Sequence, residues 1–188
     1  MSFERVGSND LTILATDHGQ VPMNIGAVLV FESGRDGKQM LATLAERIAG
    51  VRRFRQRLER FGPLSGPPVW VDDPAFDPAR HVAAHDLGGA DVLLDRAAQA
   101  VCHRLPRDRP LWAMHLFEGL PGGGFAVVIV LHHVVADGMG GLAVLGVLAD
   151  GVPVPERTMS PPPTRREVVK DAARRWRAAV ASVGRMAR

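Results

Sequence analysis

The stretch VVIVLHHVVADGMGG, residues 127–141, decides how the chain is read. Five consecutive apolar residues run into two adjacent histidines, and an aspartate stands four positions after the second. A β-branched run of this length, bounded by turn residues, is a buried strand. Asp137 and Gly138 then supply the turn that starts a buried helix expected over MGGLAVLGVLAD. Side chains at such a junction leave the core yet stay rigidly held. A neutral imidazole there can take a proton from an alcohol or thiol near pH 7. Asp137 can brace the loop, by folding back across the turn or by pairing with a distant arginine, and Gly138 lets the backbone approach closely. The same residues also read as plain trim: Asp137 as a helix cap and His132 as a hydrogen-bonded core histidine. Spacing alone leaves both readings open.

Upstream, LWAMHLFEGL and GFAVVIVLHHV flank PGGG, a turn signal, so the two runs pair as an antiparallel hairpin. PMNIGAVLVFES, residues 22–33, is a further strand. KQMLATLAERIAGVRRFRQRL places Met40, Leu41, Leu44, Ile48 and Val51 at helical spacing, with Gly50 as its end or an interruption. Residues 62–82 are rich in Pro and Asp and predict a short strand inside an extended loop. DVLLDRAAQAVCHRL predicts a second helix with Asp91 as its cap. Strands alternate with helices, so the fold class is α/β or α+β: a mixed sheet flanked by helices.

Composition removes several function classes. At 188 residues and 46% hydrophobic content the chain can bury one real core. No run of eighteen apolar residues offers a membrane span, and MSFERVGSND lacks the basic and apolar regions of a signal peptide, which points to the cytoplasm. Cys102 stands alone, so no internal disulfide forms, and it reads as packing. Charge is lopsided. Residues 164–188 hold eight Lys/Arg against two Asp/Glu, whereas residues 1–163 carry 15 basic and 18 acidic groups. An acidic body with few aromatics argues against nucleic acid. His133 with Asp137, and His81 with His85, have four-residue spacing, but neither pair brings a third ligand, so no metal site is expected.

The body is expected to span residues 1–150. Residues 151–163 hold five prolines in thirteen, a stiff extended linker. Residues 164–188 follow as a basic amphipathic helix, with Val169, Ala172, Ala173, Trp176, Val180 and Val183 along one face. That face suits a partner, a packed domain or a membrane surface.

HHVVADG, residues 132–138, resembles the active-site motif of the CoA-dependent acyltransferase superfamily. More closely, the chain resembles the bacterial wax ester synthase/diacylglycerol acyltransferases. PMNIGAVLVFE, FRQRL, PVWVDDPAFDPARHV and RPLW occur in the same order as segments of that family, so the resemblance covers nearly all of residues 1–150. NDLTILAT is looser than the family's opening D-x-x-F signature. Family members are about twice as long, with two similar halves facing each other across a tunnel. The resemblance therefore implies one half of a two-lobed fold, with residues 164–188 leading to a C-terminal half on the same or a separate chain.

The implied reaction moves an acyl group from acyl-CoA, as substrate and with no further cofactor, to the hydroxyl of diacylglycerol or a long-chain alcohol. In this reading His133 is the general base, His132 supports the loop, and Asp137 and Gly138 hold it. Arg109, Pro110, Leu111 and Trp112 position the hairpin, with Trp112 an apolar anchor and Arg109 paired to an acidic group. Residues 164–188 offer peripheral contact with an inner membrane or lipid droplet. Two other readings keep the fold: a condensation-type acyltransferase acting on a carrier-bound or polyketide substrate, and a non-catalytic half-domain serving as an interaction module.

Overall fold

A computed structural model describes residues 3–88, 92–135, 146–148 and 159–186. Two sheets organise the body. The larger has four strands in the order β2 (Asn24–Phe31), β7 (Phe125–His132), β6 (Trp112–Glu118) and β5 (Val82–Asp86). β7 pairs antiparallel with both neighbours, and β5 runs parallel to β6. The sheet is therefore mixed, as the alternation of elements implies. All eight residues of β7 are buried, because FAVVIVLH lies between two strands and is covered by helices on its faces. The smaller sheet is antiparallel: β1 (Glu4–Arg5), β4 (Val69–Asp72) and β3 (Gln56–Glu59), with β4 in the middle.

The expected hairpin forms in register, with Trp112 opposite Leu131 and Glu118 opposite Phe125. Its turn needs glycine, since Gly122 and Gly123 both sit at positive φ, 73° and 79°. α2 (Gly37–Gly50) is capped by Asp36, whose Oδ1 accepts the Gln39 N–H at 3.0 Å. It buries Leu41, Leu44 and Ile48, three of the five apolar positions expected on its face. Gly50 does end it. Val51 is extended, RRFR makes a 3₁₀ turn (Arg52–Arg55), and QRLE becomes β3. The buried Arg55 closes the helix by donating to the Ala49 and Gly50 carbonyls, at 2.7 and 3.0 Å.

α3 (Leu93–Cys102) packs on β2, and Gly26 makes that approach possible. A Cβ at Gly26 would stand 2.4 Å from Cγ2 of Val101. The cap expected from Asp91 is corrected: Val92 occupies the N-cap place and makes no side-chain cap bond. Asp91 itself lies outside the described residues. Residues 62–82 contain the expected short strand, β4, and a 3₁₀ turn (Pro78–His81) that delivers β5. The helix expected over residues 139–150 lies outside the described residues except for a helical turn at 146–148.

The described residues just before the final helix are tied to the small sheet. Ser160 N–H donates to Asp72 Oδ2 at 2.7 Å, and Arg52 bridges Asp72 and Ser160 Oγ. α4 (Arg165–Met186) starts with a capping box, in which Thr164 N–H and Oγ1 reach Glu167 at 2.7 Å and Glu167 N–H returns to Thr164 Oγ1. The face that docks is rotated from the expected one. Val168, outside the predicted stripe, is fully buried against Val69 and Val71, while Trp176 is 69% exposed and Val180 is exposed too. Arg5 fastens the contact, with Nε on Asp171 at 2.8 Å and Nη2 on the Val168 carbonyl at 2.7 Å. Arg174, Arg5 and Arg175 together hold the Asp171 carboxyl well below the usual carboxylate range.

Candidate active site

His132 ends β7, the central strand, and His133 opens a 3₁₀ turn (His133–Val135). The two rings have different surroundings. His132 is 3% exposed, and its Nδ1 accepts the Val134 N–H at 3.2 Å. A backbone N–H only donates, so the ring proton sits on Nε2 and is given to Asp17 Oδ2 at 3.3 Å. Both nitrogens of His132 are committed. Burial lowers its pKa against the opposing pull of Asp17, which keeps the ring neutral.

Asp17 stands at the C-cap of α1 (Ser8–Thr16), where its own N–H closes the last turn on the Ile13 carbonyl at 3.0 Å. Its buried carboxylate receives only donors. Oδ1 takes the Met23 N–H at 3.0 Å. Oδ2 takes His132 Nε2–H, Arg104 Nη1 at 2.9 Å and Arg107 Nη2. Burial raises this carboxyl's pKa, but the Met23 N–H, Arg107 and His132 outweigh burial and hold it at about 2.

His133 is half-buried. Its backbone N–H donates to the Met23 carbonyl at 2.8 Å. Its Nδ1 is buried and has no hydrogen-bond partner among the described residues. An imidazole with both nitrogens occupied cannot accept a substrate proton, so of the two rings His132 is the one already committed. Asp137 and Gly138 lie outside the described residues.

The RPLW segment sits beside this site. Leu111 and Trp112 are buried, and the Leu111 carbonyl accepts the His132 N–H at 3.0 Å. Trp112 Nε1–H donates to the Phe54 carbonyl at 2.8 Å, joining β6 to the turn after α2. Pro110 is buried, and Arg109 pairs with Asp108 at 3.1 Å. His81 and His85 face separate partners: His81 bonds the Trp112 carbonyl at 3.0 Å and stacks on its indole, while His85 Nε2 meets His115 Nδ1 at 3.1 Å. Among the described residues no group of three or more His, Cys, Asp or Glu is arranged to hold a metal. Cys102 is exposed. A cavity of about 710 Å³ lies between the small sheet and residues 160–163, and none of its lining residues is a candidate site residue.

Residues 6–188 match the family model described as the wax ester synthase/diacylglycerol acyltransferase catalytic domain. The chain belongs to this family. Among curated relatives, the Mycobacterium tuberculosis protein named "Probable diacyglycerol O-acyltransferase tgs1" is 41% identical over 135 residues, which are 69% of this chain and 29% of that protein. The tgs3 protein of the same organism is 30% identical over 164 residues, 84% of this chain and 58% of that protein. Among solved structures, the wax ester synthase/diacylglycerol acyltransferase from Marinobacter aquaeolei VT8 superposes with a TM-score of 0.63 at 29% identity, covering 74% of this chain and 35% of that one. The first condensation domain of the calcium-dependent antibiotic synthetase shares the fold, at TM-score 0.61 and 22% identity, over 93% of this chain and 44% of that one. This chain thus spans about a third of the length of the first relatives it matches.

The sequence of this family member singles out both candidate histidines and does not reveal what holds them. Asp17, Arg104 and Arg107 were not among the candidates. Asp17 is separated from His132 by 115 positions, so no spacing rule links them. The usable signal is weak: an aspartate directly after an apolar helix and a run of three arginines, RLPRDR, just before the hairpin.

Proposed function

We propose that this chain supplies the histidine-bearing part of an O-acyltransferase that moves a fatty acyl group from acyl-CoA to diacylglycerol or a long-chain alcohol. The observation that carries the assignment is the contrast between the adjacent rings: His132 has both nitrogens engaged, whereas among the described residues the Nδ1 of His133 has no partner. His133 takes the acceptor's hydroxyl proton as that oxygen attacks the thioester carbonyl. The C–O bond forms, the C–S bond breaks, and the proton passes to the departing CoA thiolate, leaving an ester and free CoA. Asp137 and Gly138 hold the loop that carries His133. No acyl-enzyme forms, and no cofactor takes part.

A base on one wall does not complete an acyltransferase. Donors for the thioester oxygen and a water-excluding passage are also required, and a C-terminal half, on the same or a separate chain, supplies them in this reading. The basic helix α4 carries the protein to an anionic lipid surface, such as an inner membrane or lipid droplet. Eight Lys/Arg against two Asp/Glu in residues 164–188, with Trp176 exposed, support that contact. Among the described residues no helix is long and apolar enough to cross a membrane. Identities of 30–41% to diacyglycerol O-acyltransferases favour this acceptor class over a carrier-bound one, since the condensation domain at 22% identity shares the fold alone.

The test is release of CoA thiol from acyl-CoA, with diacylglycerol or a long-chain alcohol as acceptor, in protein that includes both halves. His133→Ala removes most turnover, a loss on the order of a hundredfold to ten-thousandfold, and His132→Ala leaves more. Equal or reversed losses in folded variants overturn the assignment.

A further inference from the structure

We infer that Asp17 is a positioning residue that fixes His133 from both sides of its backbone. The inference about catalysis rests on the proposed role of His133; the geometry does not. Two hydrogen-bonded paths leave the one carboxylate. From Oδ2 the path runs to His132 Nε2–H, through the ring, and from Nδ1 to the N–H of Val134, the residue after His133. From Oδ1 it runs to the Met23 N–H, through that peptide, and from the Met23 carbonyl to the N–H of His133 itself. The His133 and Val134 amides are therefore both held by chains of bonds that meet at Asp17. A 3₁₀ turn leaves such amides without a regular ladder partner, and here each is satisfied by a path ending at this side chain.

The chemistry of the site calls for a carboxylate. All four partners of Asp17 are donors: a backbone N–H, an imidazole N–H and two guanidinium groups. Only a group that accepts on both oxygens satisfies them together. An amide at position 17 would turn an NH₂ toward at least one donor. The His132 ring would then have to move its proton to Nδ1 to accept that NH₂, and Nδ1–H would face the Val134 N–H. Either Met23 or Val134 loses its bond, and His133 loses one of its two restraints. Arg104 is fixed in turn, since it also donates to the Asp17 and Gly19 carbonyls at 3.1 and 2.7 Å. The carboxylate is thus held ionised by groups that are themselves anchored.

Bracing of the histidine loop is the task that the sequence suggests for Asp137. Asp17 performs it from the opposite end of the chain, through His132 and Met23. This also gives His132 a role that needs no contact with substrate: it carries the restraint from α1 to the turn.

Two measurements test this. On the 188-residue chain, ¹⁵N-resolved NMR of the imidazole rings at pH 7 reports the tautomer of His132, and hydrogen exchange reports the amides of His133 and Val134. The expected result is a neutral Nε2–H ring and slow exchange at both amides. Asp17→Asn shifts the tautomer or frees at least one of the two amides. A wild-type Nδ1–H ring, or a folded Asp17→Asn chain with the tautomer and both amides unchanged, overturns the inference. Should Asp17→Asn fail to fold, the wild-type tautomer and exchange rates still decide. In protein with both halves, Asp17→Asn lowers kcat by roughly tenfold to a hundredfold, as expected for a misplaced base, with KM for both substrates unchanged. A raised KM with normal kcat overturns the positioning role. Wild-type protein with no acyltransferase activity would refute the proposed function and leave the NMR result to judge Asp17 by itself.

Discussion

Replacing Arg5 with methionine should loosen α4 from the small sheet before anything else unfolds. Arg5 is 9% exposed and makes four bonds: Nε to Asp171, Nη1 to the Ser65 and Pro67 carbonyls at 2.7 and 2.9 Å, and Nη2 to the Val168 carbonyl. Methionine keeps an apolar stem of similar length, so the packing loss is small and the lost donors dominate. Three carbonyls are left without that donor, each at about 1 kcal/mol. Asp171 loses little, because Arg174 and Arg175 reach it from its own helix at 2.7 and 2.9 Å. The expected destabilisation of this contact is therefore about 3 kcal/mol. The apolar contribution across the same joint is small, since among the described residues the buried cluster there is Val69, Val71 and Val168, with Phe3 and Phe61 at its edge. Hydrogen exchange resolved by residue is the assay, with thermal unfolding beside it. Amides of α4 from Val168 onward should lose protection, whereas those of β6 and β7 should keep theirs. If unfolding is cooperative across the chain, Tm falls by roughly 6–12 °C for a protein of this size. A loss below about 1 kcal/mol, or α4 amides as protected as in wild type, would show that the arginine fork does not hold the helix.

Acid should expose the Asp17 hub. A carboxyl held at about 2 in the fold, against 3.8 for the free group, contributes roughly 2 kcal/mol. That contribution is complete above the unfolded pKa and is lost as pH falls from about 4 through 2. Denaturant unfolding of wild type and Asp17→Asn at pH 5 and pH 2.5 should show the gap between them narrowing at the lower pH. Trp112→Phe removes the bond to the Phe54 carbonyl and should lower stability by about 1–2 kcal/mol, read from the same unfolding curves. Chains ending at residue 163 should lose binding to anionic liposomes relative to chains ending at residue 188. Binding that is equal, or insensitive to salt, would remove α4 from membrane contact. The 188-residue chain alone should bind acyl-CoA weakly and show no turnover; a monomer in solution with robust turnover would refute the need for a second half.

Much of the fold is legible in local pattern, and the exceptions share one physical cause. The strand at Asn24–Phe31, the helix ending at Gly50 and the hairpin around PGGG follow from periodicity and turn chemistry within a few residues. β5 is not legible. VAAHD has one β-branched residue, and it becomes a strand because it pairs in parallel with β6, thirty-two positions away, with Val82 opposite Met114. The switch from α2 to β3 is hidden for a related reason. RRFRQRL reads as more helix, and the chain turns there because Arg55 bonds back to the helix end and Gln56 pairs opposite Asp72. The docked face of α4 follows Val168 and Asp171 because Val69 and Arg5 await them, and nothing within the helix records that. The histidine pair was legible because two adjacent imidazoles at a strand end are rare enough to notice. Asp17 was not, because its meaning depends wholly on what lies across from it.

These hidden contacts are made by one kind of device. Arg5, Arg55 and Asp17 are all buried, and each gathers several groups from different segments. Arg5 holds the Ser65, Pro67 and Val168 carbonyls, Arg55 holds those of Ala49 and Gly50, and Asp17 holds the Met23 N–H and the His132 ring. Except for the Val168 carbonyl, which lies within α4, the served backbone lies outside or at the end of a regular element, where its polar groups have no ladder partner. A guanidinium fork offers only donors and a carboxylate only acceptors, so each can satisfy two to four groups of one kind at once. A buried ion without partners would be strongly destabilising, so each one tolerates only the arrangement that satisfies it. The apolar pattern settles which faces turn inward. The three ions then select how the irregular joints close, and one of those joints carries His133.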